Sequence, residues 1–163
     1  MLLELKNKEH LIVDEFKFKC SIGKKGLIAK KKEGDQCTPV GVFNIGKVYY
    51  RPDRIKKINT ILKTKIITKN MGWCDDPYNK NYNKEIVLNK KNKGEKLFRK
   101  DNVYDILIVI EYNTLKTKPF KGSAIFIHLT KNYKPTKGCI ALKKNDLLIL
   151  LKIINKRSKI KIC

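Results

Sequence analysis

Cys139 and His128 are the two residues whose types and spacing best suit a chemical reaction. His128 ends an apolar run, which predicts a strand, and Cys139 stands in a tight Thr-Lys-Gly-Cys turn. The connection over residues 129 to 137 is long enough to reverse direction and short enough to keep its ends adjacent. We therefore expect the thiol and the imidazole to lie side by side on neighbouring strands.

Such a pair suits nucleophilic catalysis. An unperturbed cysteine is only about 3% thiolate at neutral pH and becomes an effective nucleophile beside a base or a positive charge. His128 is the natural base. Gly138, which has no side chain, would let a substrate carbonyl approach, and the backbone N–H groups of Gly138 and Cys139 are expected to point at the developing oxyanion. The predicted reaction is acyl transfer.

A structural role for both residues is the alternative. Cysteine is among the most buried residue types, and a histidine at a strand end is often satisfied by local hydrogen bonds. The chain has only two histidines, and the other, His10, lies in a charged stretch near the amino terminus. If a histidine acts as a base in this protein, the sequence therefore favours His128.

The stretch around these residues resembles the signature of the L,D-transpeptidase catalytic domain family, also called YkuD-like. In that family an upstream histidine precedes a Ser/Thr-x-Gly-Cys turn, and His128, Thr136, Gly138 and Cys139 match these positions. The resemblance extends from residue 33 onward through four further segments, Glu-Gly-Asp-Gln-Cys-Thr-Pro-Val-Gly-Val-Phe at 33 to 43, Tyr-Tyr-Arg-Pro-Asp-Arg at 49 to 54, Gly-Trp-Cys-Asp-Asp-Pro at 72 to 77 with Tyr-Asn at 82 and 83, and strand-like text at 103 to 110.

The resemblance implies a mainly β fold, a YkuD-type β-sandwich with mixed sheets and one or two short helices. It also implies that Cys139 forms a thioester with a peptidoglycan stem peptide and passes the acyl group to an amine, making 3-3 or 1-3 cross-links. It implies no cofactor, no metal and a location in the cell envelope or periplasm. Two alternatives stay open, an L,D-carboxypeptidase or hydrolase using the same site and a catalytically silent wall-binding domain.

Two departures from the usual pattern indicate a divergent, proteobacterial-type branch. Lys137 occupies the turn position that is commonly histidine, and Ala141 stands where many relatives carry arginine. A lysine ammonium near the thiol would still favour the thiolate. Because no acidic residue lies near His128 in the sequence, the main-chain carbonyl of Leu129 is expected to orient its ring.

Substrate-binding candidates come from the matching segments. We expect basic residues to pair with substrate carboxylates, aspartates to receive an amine, and aromatic rings to form flat walls. The candidates are Lys137, Arg51 and Arg54, then Asp75 and Asp76, then Tyr50, Trp73 and Tyr82. Alternatively, Trp73 belongs to the core and Trp-Cys-Asp-Asp-Pro is a structural turn in which Asp75 caps its own backbone.

Composition favours one catalytic domain over residues 1 to 163, since 42% apolar content suffices for a core and no linker divides the chain. The net charge of +23 is spread over every segment, and only Arg51, Arg54, Arg99 and Arg157 are arginines. This diffuse pattern does not favour nucleic acid as a partner and suits an anionic cell-wall polymer.

The five cysteines form no C-x-x-C pair, so a zinc site is poorly supported. The odd number leaves at least one free thiol, and bridges among Cys20, Cys37, Cys74 and Cys163 stay open. Charges interrupt every apolar run in residues 1 to 20, so no signal peptide is recognised, and no 18-residue apolar window predicts a membrane span.

Period-two alternation predicts a strand at 10 to 19 with a hairpin partner at 20 to 31, and another strand after the Thr-Pro-Val-Gly turn at 38 to 41. Further strands are predicted at 64 to 69, 103 to 112, 123 to 129, 138 to 142 and 159 to 162. The one clear helix is predicted at 144 to 155, with Asn145 as its cap.

Overall fold

The computed structural model describes all residues from 1 to 163 and contains fourteen strands and one helix. In chain order these are β1 (Leu2–Lys6), β2 (His10–Val13), β3 (Phe16–Ser21), β4 (Leu27–Ile28), β5 (Thr38–Pro39), β6 (Gly41–Tyr50), β7 (Thr64–Ile66), β8 (Met71–Trp73), β9 (Glu85–Val87), β10 (Glu95–Lys96), β11 (Ile106–Ile110), β12 (Phe126–Leu129), β13 (Ile140–Leu142), α1 (Lys144–Ile153) and β14 (Lys159–Ile162).

Nine strands form one sheet in the order β11-β12-β13-β3-β2-β1-β14-β6-β7, and β11 also pairs with β6. This last pairing closes the sheet into a barrel-like layer. The ten-residue strand β6 makes closure possible because its first half pairs with β14 and its second half with β11. The pairs β1–β14, β12–β13 and β6–β7 are parallel and the others in this sheet are antiparallel. The expected mainly β fold with mixed sheets is confirmed.

Both faces of β11, β12 and β13 are buried. Side chains alternate between the two faces of a strand, and Ile106, Ile108 and Ile110 accordingly join an inner core cluster of 25 residues, whereas Leu107 and Val109 join an outer cluster of 11. The three-stranded sheet β10-β8-β9 covers the outer face and contributes Trp73 to the outer cluster. A strand that is buried on both faces needs apolar residues at successive positions, which explains the continuous apolar sequence of these strands.

The helix α1 packs through Leu147, Leu150 and Leu151, which lie three and four residues apart and are all fully buried. The predicted cap was wrong. Lys143 precedes the helix in an extended conformation without a side-chain capping bond, and Asn145 lies inside the first turn. Asp146 near the start and Lys152 near the end favour the helix electrostatically. No helix of the structure could span a lipid bilayer.

The amino-terminal strands differ from the prediction. Residues 10 to 19 are not one strand, because the chain turns at Asp14, where φ is 49°, and β2 and β3 form a hairpin. The predicted partner at 20 to 31 is also wrong, since β3 pairs with β2 and β13, and that segment contains only the end of β3 and the short β4. Strands β1, β8, β9 and β10 were not predicted, and three of them have only two or three residues.

Candidate active site

His128 and Cys139 lie on the outer face of two neighbouring parallel strands. In the register of β12 and β13, Ile127 is paired with Ile140 and His128 with Ala141. Cys139, the residue just before β13, therefore lies opposite Phe126. Alternation then places Phe126, His128 and Cys139 on the same face, with His128 and Cys139 as diagonal neighbours. Both residues line the same cavity, which agrees with this placement. The expected juxtaposition therefore follows from the register.

Two backbone groups hold the Cys139 thiol. The Phe126 N–H donates to Sγ at 3.3 Å, and the S–H donates to the Ala124 carbonyl oxygen at 3.2 Å. The residue is 7% exposed. Burial and then the charge of Glu95 raise the pKa of the thiol to about 12, against the smaller lowering effects of the Phe126 hydrogen bond and the Lys31 charge. The thiol is therefore protonated at neutral pH.

The His128 ring is fixed by its own strand. Its Nδ1 lies 2.9 Å from the Leu129 carbonyl oxygen, as expected from the sequence. A carbonyl oxygen only accepts, so Nδ1 carries the hydrogen and Nε2 keeps a lone pair. Burial lowers the pKa of this histidine to about 4, and the Leu129 hydrogen bond only partly offsets this effect. The imidazole is neutral at pH 7 and has one nitrogen available to take a proton. No hydrogen bond joins it to the Cys139 thiol.

Thr136 closes the turn that carries the thiol. Its hydroxyl donates to the Cys139 carbonyl oxygen at 2.6 Å and accepts the Gly138 N–H at 3.1 Å. The Gly138 N–H is therefore occupied, and the expectation that it points at an oxyanion is wrong. The Cys139 N–H makes no hydrogen bond within the protein. Of the two predicted donors, only this one is available to a substrate oxygen.

Gly138 is required for a reason that the sequence did not reveal. Its φ is +140°, a conformation that side-chain-bearing residues rarely adopt, and a Cβ here would lie 2.7 Å from the Cys37 carbonyl oxygen. The glycine lets the turn approach the segment before β5 closely. It thus positions Cys139 through backbone packing, in addition to leaving space for a substrate.

A cavity of about 670 Å³ opens over the thiol and the imidazole. Cys139, His128, Leu129 and Thr136 all line it. Its wall carries both signs of charge, namely Glu33, Asp75 and Glu95 together with Lys31, Arg99, Lys131 and Lys137. A site of this size and mixed polarity fits a peptide that bears both carboxylate and amine groups.

Tyr104 and Glu95 form a polar network beside the imidazole that sequence reasoning missed. The Tyr104 hydroxyl donates to Glu95 Oε1 at 2.6 Å, and the Tyr104 ring meets the His128 ring edge-on at 5.3 Å. Burial raises the pKa of Glu95, and burial followed by the charges of Cys139 and Glu95 raises the pKa of Tyr104 well above its usual value. Glu95 lies in a two-residue strand and Tyr104 in a loop, where no periodic pattern singled them out.

Among the predicted substrate-binding residues, Lys137 and Asp75 line the cavity. Both are exposed. Although the residue is exposed, partial desolvation of the Asp75 carboxyl raises its pKa, and the charges of Glu33 and Asp76 add to the effect. The neighbouring Asp76 accepts the Tyr78 N–H at 3.0 Å, and the Asp75 carboxylate is hydrogen-bonded to its own backbone, so the segment forms a structural turn.

The other predicted binding residues lie outside the cavity and make structural contacts. Arg51 is buried, stacks on Phe98 at 3.4 Å and binds Asp53, whereas Arg54 binds Asp105 at 2.8 Å. Buried guanidinium groups need such partners because their desolvation is costly. These two arginines join loops to each other and do not reach the thiol.

The predicted aromatic walls likewise belong to the interior. Trp73 is 6% exposed, donates to Asn83 Oδ1 at 2.9 Å and packs edge-on against Phe126. Tyr82 is also buried and donates its hydroxyl to Glu33, while Tyr50 packs against the inner core cluster. Trp73 reaches the site indirectly, because its partner Phe126 holds the Cys139 thiol. All five cysteines are free thiols.

Comparisons with known proteins agree with this fold. The family model of the YkuD L,D-transpeptidase catalytic domain matches residues 2–162. No curated protein is significantly similar in sequence. Among solved structures, the chain resembles the helical cell shape determining protein Pgp2 from Campylobacter jejuni, with 19% identity, a TM-score of 0.50 and coverage of 99% of this chain. The chain spans about half the length of that protein, 46%. On the match of the family model over nearly its whole length, this chain belongs to the YkuD family of L,D-transpeptidase catalytic domains.

Proposed function

We propose that this protein is a cysteine-dependent L,D-transpeptidase that transfers acyl groups between peptidoglycan stem peptides in the cell envelope. The observation that carries the proposal is the placement of the Cys139 thiol and the His128 imidazole on one face of adjacent strands, in the wall of one cavity. The family match supports the substrate class. The cell-shape role in the name of Pgp2 is compatible with an enzyme that remodels the wall.

In the proposed acylation, Cys139 attacks a stem-peptide carbonyl as His128 Nε2 takes the thiol proton. The Sγ–C bond forms, the carbonyl electron pair moves onto oxygen, and the Cys139 N–H donates to that oxyanion. The tetrahedral intermediate collapses when the C–N bond breaks. The departing amine receives the proton that His128 holds, and a thioester remains.

In the second step an amine of another stem peptide gives its proton to His128 and attacks the thioester. The C–N bond of the cross-link forms, the S–C bond breaks, and the proton returns to Sγ. If water takes the place of the amine, the same site acts as an L,D-carboxypeptidase. The choice depends on whether the cavity admits an acceptor peptide.

The protonation states favour proton transfer during attack over a preformed ion pair. The pKa of Cys139 near 12 and that of His128 near 4 keep both groups neutral before substrate binds. Proton transfer to His128 becomes favourable as the sulfur starts to bond to carbon, because the S–H proton then becomes more acidic. Lys137 and Asp75, two exposed residues of the cavity lining, are the proposed partners of the carboxylate and amine groups of the stem.

The test is incubation with purified tetrapeptide-stem muropeptides, followed by mass measurement of the protein and of the products. We expect an acyl adduct on Cys139 and cross-linked dimers with the wild type, and neither with Cys139→Ala. Cys163→Ala removes an exposed thiol outside the cavity and is the matched control, which should retain both signals. Shortened monomers without dimers would identify a hydrolase.

A carbapenem-type acylating agent provides a second measurement. A mass increase on the wild type that disappears in Cys139→Ala supports a reactive nucleophile. If neither the muropeptides nor the carbapenem modify Cys139 and no product forms, the enzymatic proposal is wrong and the silent wall-binding alternative is favoured.

A further inference from the structure

Lys31 is a buried lysine in the wall of the catalytic cavity. It lies in the segment between β4 and β5, and its side chain is only 3% exposed. Fully buried lysines are rare because the ammonium loses its hydration. The Asp35 carboxylate, 2.5 Å from Nζ, is the acceptor that the protein provides. An ammonium has three N–H donors, so two remain without a protein acceptor.

Two glycines form a slot for this side chain. A Cβ on Gly122 would lie 2.8 Å from Lys31 Cε, and a Cβ on Gly138 would lie 3.4 Å from Lys31 Nζ. Both glycines have positive φ values, +98° and +140°. The ammonium is therefore held against the residue that precedes Cys139. Lys31 and Cys139 line the same cavity.

An ion pair in the interior is a weak source of stability, because desolvation offsets most of the attraction and apolar residues can replace it. The Lys31–Asp35 pair is also unequal, since Asp35 further accepts the N–H groups of Lys32 and Cys37 whereas Lys31 has no second acceptor. The site thus has two spare N–H donors on an ammonium beside the proposed nucleophile, which points to an anion that forms there during the reaction.

We infer that the Lys31 ammonium stabilises the negative charge that develops at Cys139, first on the sulfur and then on the oxygen of the attacked carbonyl. The second part rests on the proposed acyl transfer. The sequence assigned this role to Lys137, but Lys137 is exposed, and water screens its charge. The direction of the electrostatic effect agrees, because the charge of Lys31 lowers the pKa of Cys139.

The other titratable and charged groups that face the thiol from the surrounding elements define the background of the test. They are His128 of β12, Glu95 of β10, Tyr104 and Arg99 from the segment before β11, the lining carboxylates Glu33 and Asp75, and the exposed Lys131 and Lys137. Glu95 opposes Lys31, since its charge raises the pKa of Cys139.

The test measures alkylation of Cys139 by iodoacetamide, a neutral reagent that requires no substrate binding, as a function of pH. Trypsin releases Cys139 in the peptide 138 to 143, which contains no other cysteine, so its modification can be quantified by mass spectrometry. For Lys31→Met we expect alkylation to be slower by about threefold or more at pH 8, because the ammonium lowers the pKa of the Cys139 thiol and a shift of about half a unit changes the thiolate fraction by about threefold. Lys131→Met, which removes an exposed charge from the same cavity, should change the rate by less than about twofold.

Lys31→Arg and Lys31→Gln distinguish charge stabilisation from a packing role. The guanidinium of Lys31→Arg keeps a positive charge that can pair with Asp35, so alkylation should stay within about twofold of the wild-type rate. Lys31→Gln keeps a polar side chain without the charge and should be alkylated as slowly as Lys31→Met. Unchanged alkylation in a folded Lys31→Met or Lys31→Gln, or equal slowing in Lys31→Arg, overturns the inference. If Lys31→Met does not fold, the comparison of Lys31→Gln with Lys31→Arg decides.

Acylation by the carbapenem then separates this inference from the proposed function. Wild-type acylation together with unchanged alkylation in Lys31→Met would leave the enzyme proposal standing and remove Lys31 from it. If the wild type is not acylated but Lys31→Met is alkylated more slowly, the enzyme proposal is wrong. The inference that Lys31 stabilises the Cys139 thiolate then still stands.

Discussion

The backbone N–H of Phe126 lies 3.3 Å from Sγ of Cys139, so the strand that carries His128 also holds the Cys139 thiol. Because Phe126 is two residues before His128 on the same strand face, a shift of β12 against β13 would move the imidazole and release the thiol together. The positions of the two side chains are therefore coupled through strand register, without a direct hydrogen bond between them.

Alkylation of Cys139 in the wild type should increase steeply at high pH. With its pKa raised to about 12 by burial, the thiol is protonated over the whole neutral range, and the iodoacetamide rate should rise about tenfold per pH unit up to at least pH 10. The peptide 138 to 143 reports the rate, and a urea-denatured sample is the control. A plateau near pH 7 to 8 would contradict the protonated resting state.

Glu95→Gln should accelerate alkylation of Cys139 by several-fold at pH 8. The Glu95 carboxylate raises the pKa of the thiol, and the amide removes this charge while keeping an oxygen that can accept the Tyr104 hydroxyl. The same tryptic peptide provides the measurement. Slower alkylation would show that Glu95 acts on the thiol by something other than charge.

Tyr104→Phe should destabilise the protein by about 1 to 3 kcal/mol, because the Glu95 carboxylate loses the hydroxyl that donates to it in a half-buried position. Urea unfolding at pH 7 measures the change. Tyr78→Phe removes a hydroxyl from a tyrosine that is 86% exposed and should stay within about 0.5 kcal/mol of the wild type. Equal effects of the two substitutions would mean that the Tyr104–Glu95 bond adds nothing to stability.

His128 should make the stability of the protein depend on pH between about 4 and 6.5. Its folded pKa of about 4 lies below the ordinary 6.5, so the unfolded chain binds more protons in this range and stability falls as the pH falls. From pH 7 to pH 4 the wild type should lose up to about 3 kcal/mol more than His128→Gln. Unfolding curves at both pH values test this, and parallel losses in the two proteins would contradict a buried neutral imidazole.

His128→Gln should also slow acylation of Cys139 by about 10² to 10⁴, the usual cost of losing a general base. The rate of carbapenem adduct formation on the variant, compared with the wild type at pH 7, measures this loss.

Gly138→Ala should cost on the order of 3 kcal/mol or more and abolish acylation even where the variant folds. Its Cβ would lie 2.7 Å from a backbone oxygen at a φ of +140°. Gly26→Ala is the matched control, since Gly26 also has a positive φ, +82°, but no atom within 4 Å of a Cβ, and it should cost about 1 kcal/mol. Unfolding and carbapenem acylation of both variants decide the matter, and equal stability losses would refute the close approach to Cys37.

Local sequence patterns and motifs were sufficient to predict the mainly β class and the family, both of which are confirmed, and they also singled out Cys139 and His128. Apolar runs predicted β11 and β12 within a few residues, because strands that are buried on both faces need a continuous apolar sequence. Alternation predicted β14. The turn around Gly138 and the strand end at His128 were local features that spacing could reveal. The hairpin turn at Asp14 was not predicted because no glycine or proline marks it, although the apolar positions change from odd (Leu11, Val13) to even (Phe16, Phe18) across it.

Long-range packing determines which charges surround the Cys139 thiol. Lys31, Glu95 and Tyr104 come from three separate segments with no common pattern, and the closed sheet brings them to one cavity. It also placed Arg51, Arg54 and Trp73 elsewhere, although the same family-like segments contain them. The type of a residue shows which charge it can carry. Its burial and its partners, which long-range packing sets, determine whether that charge affects the pKa of the thiol.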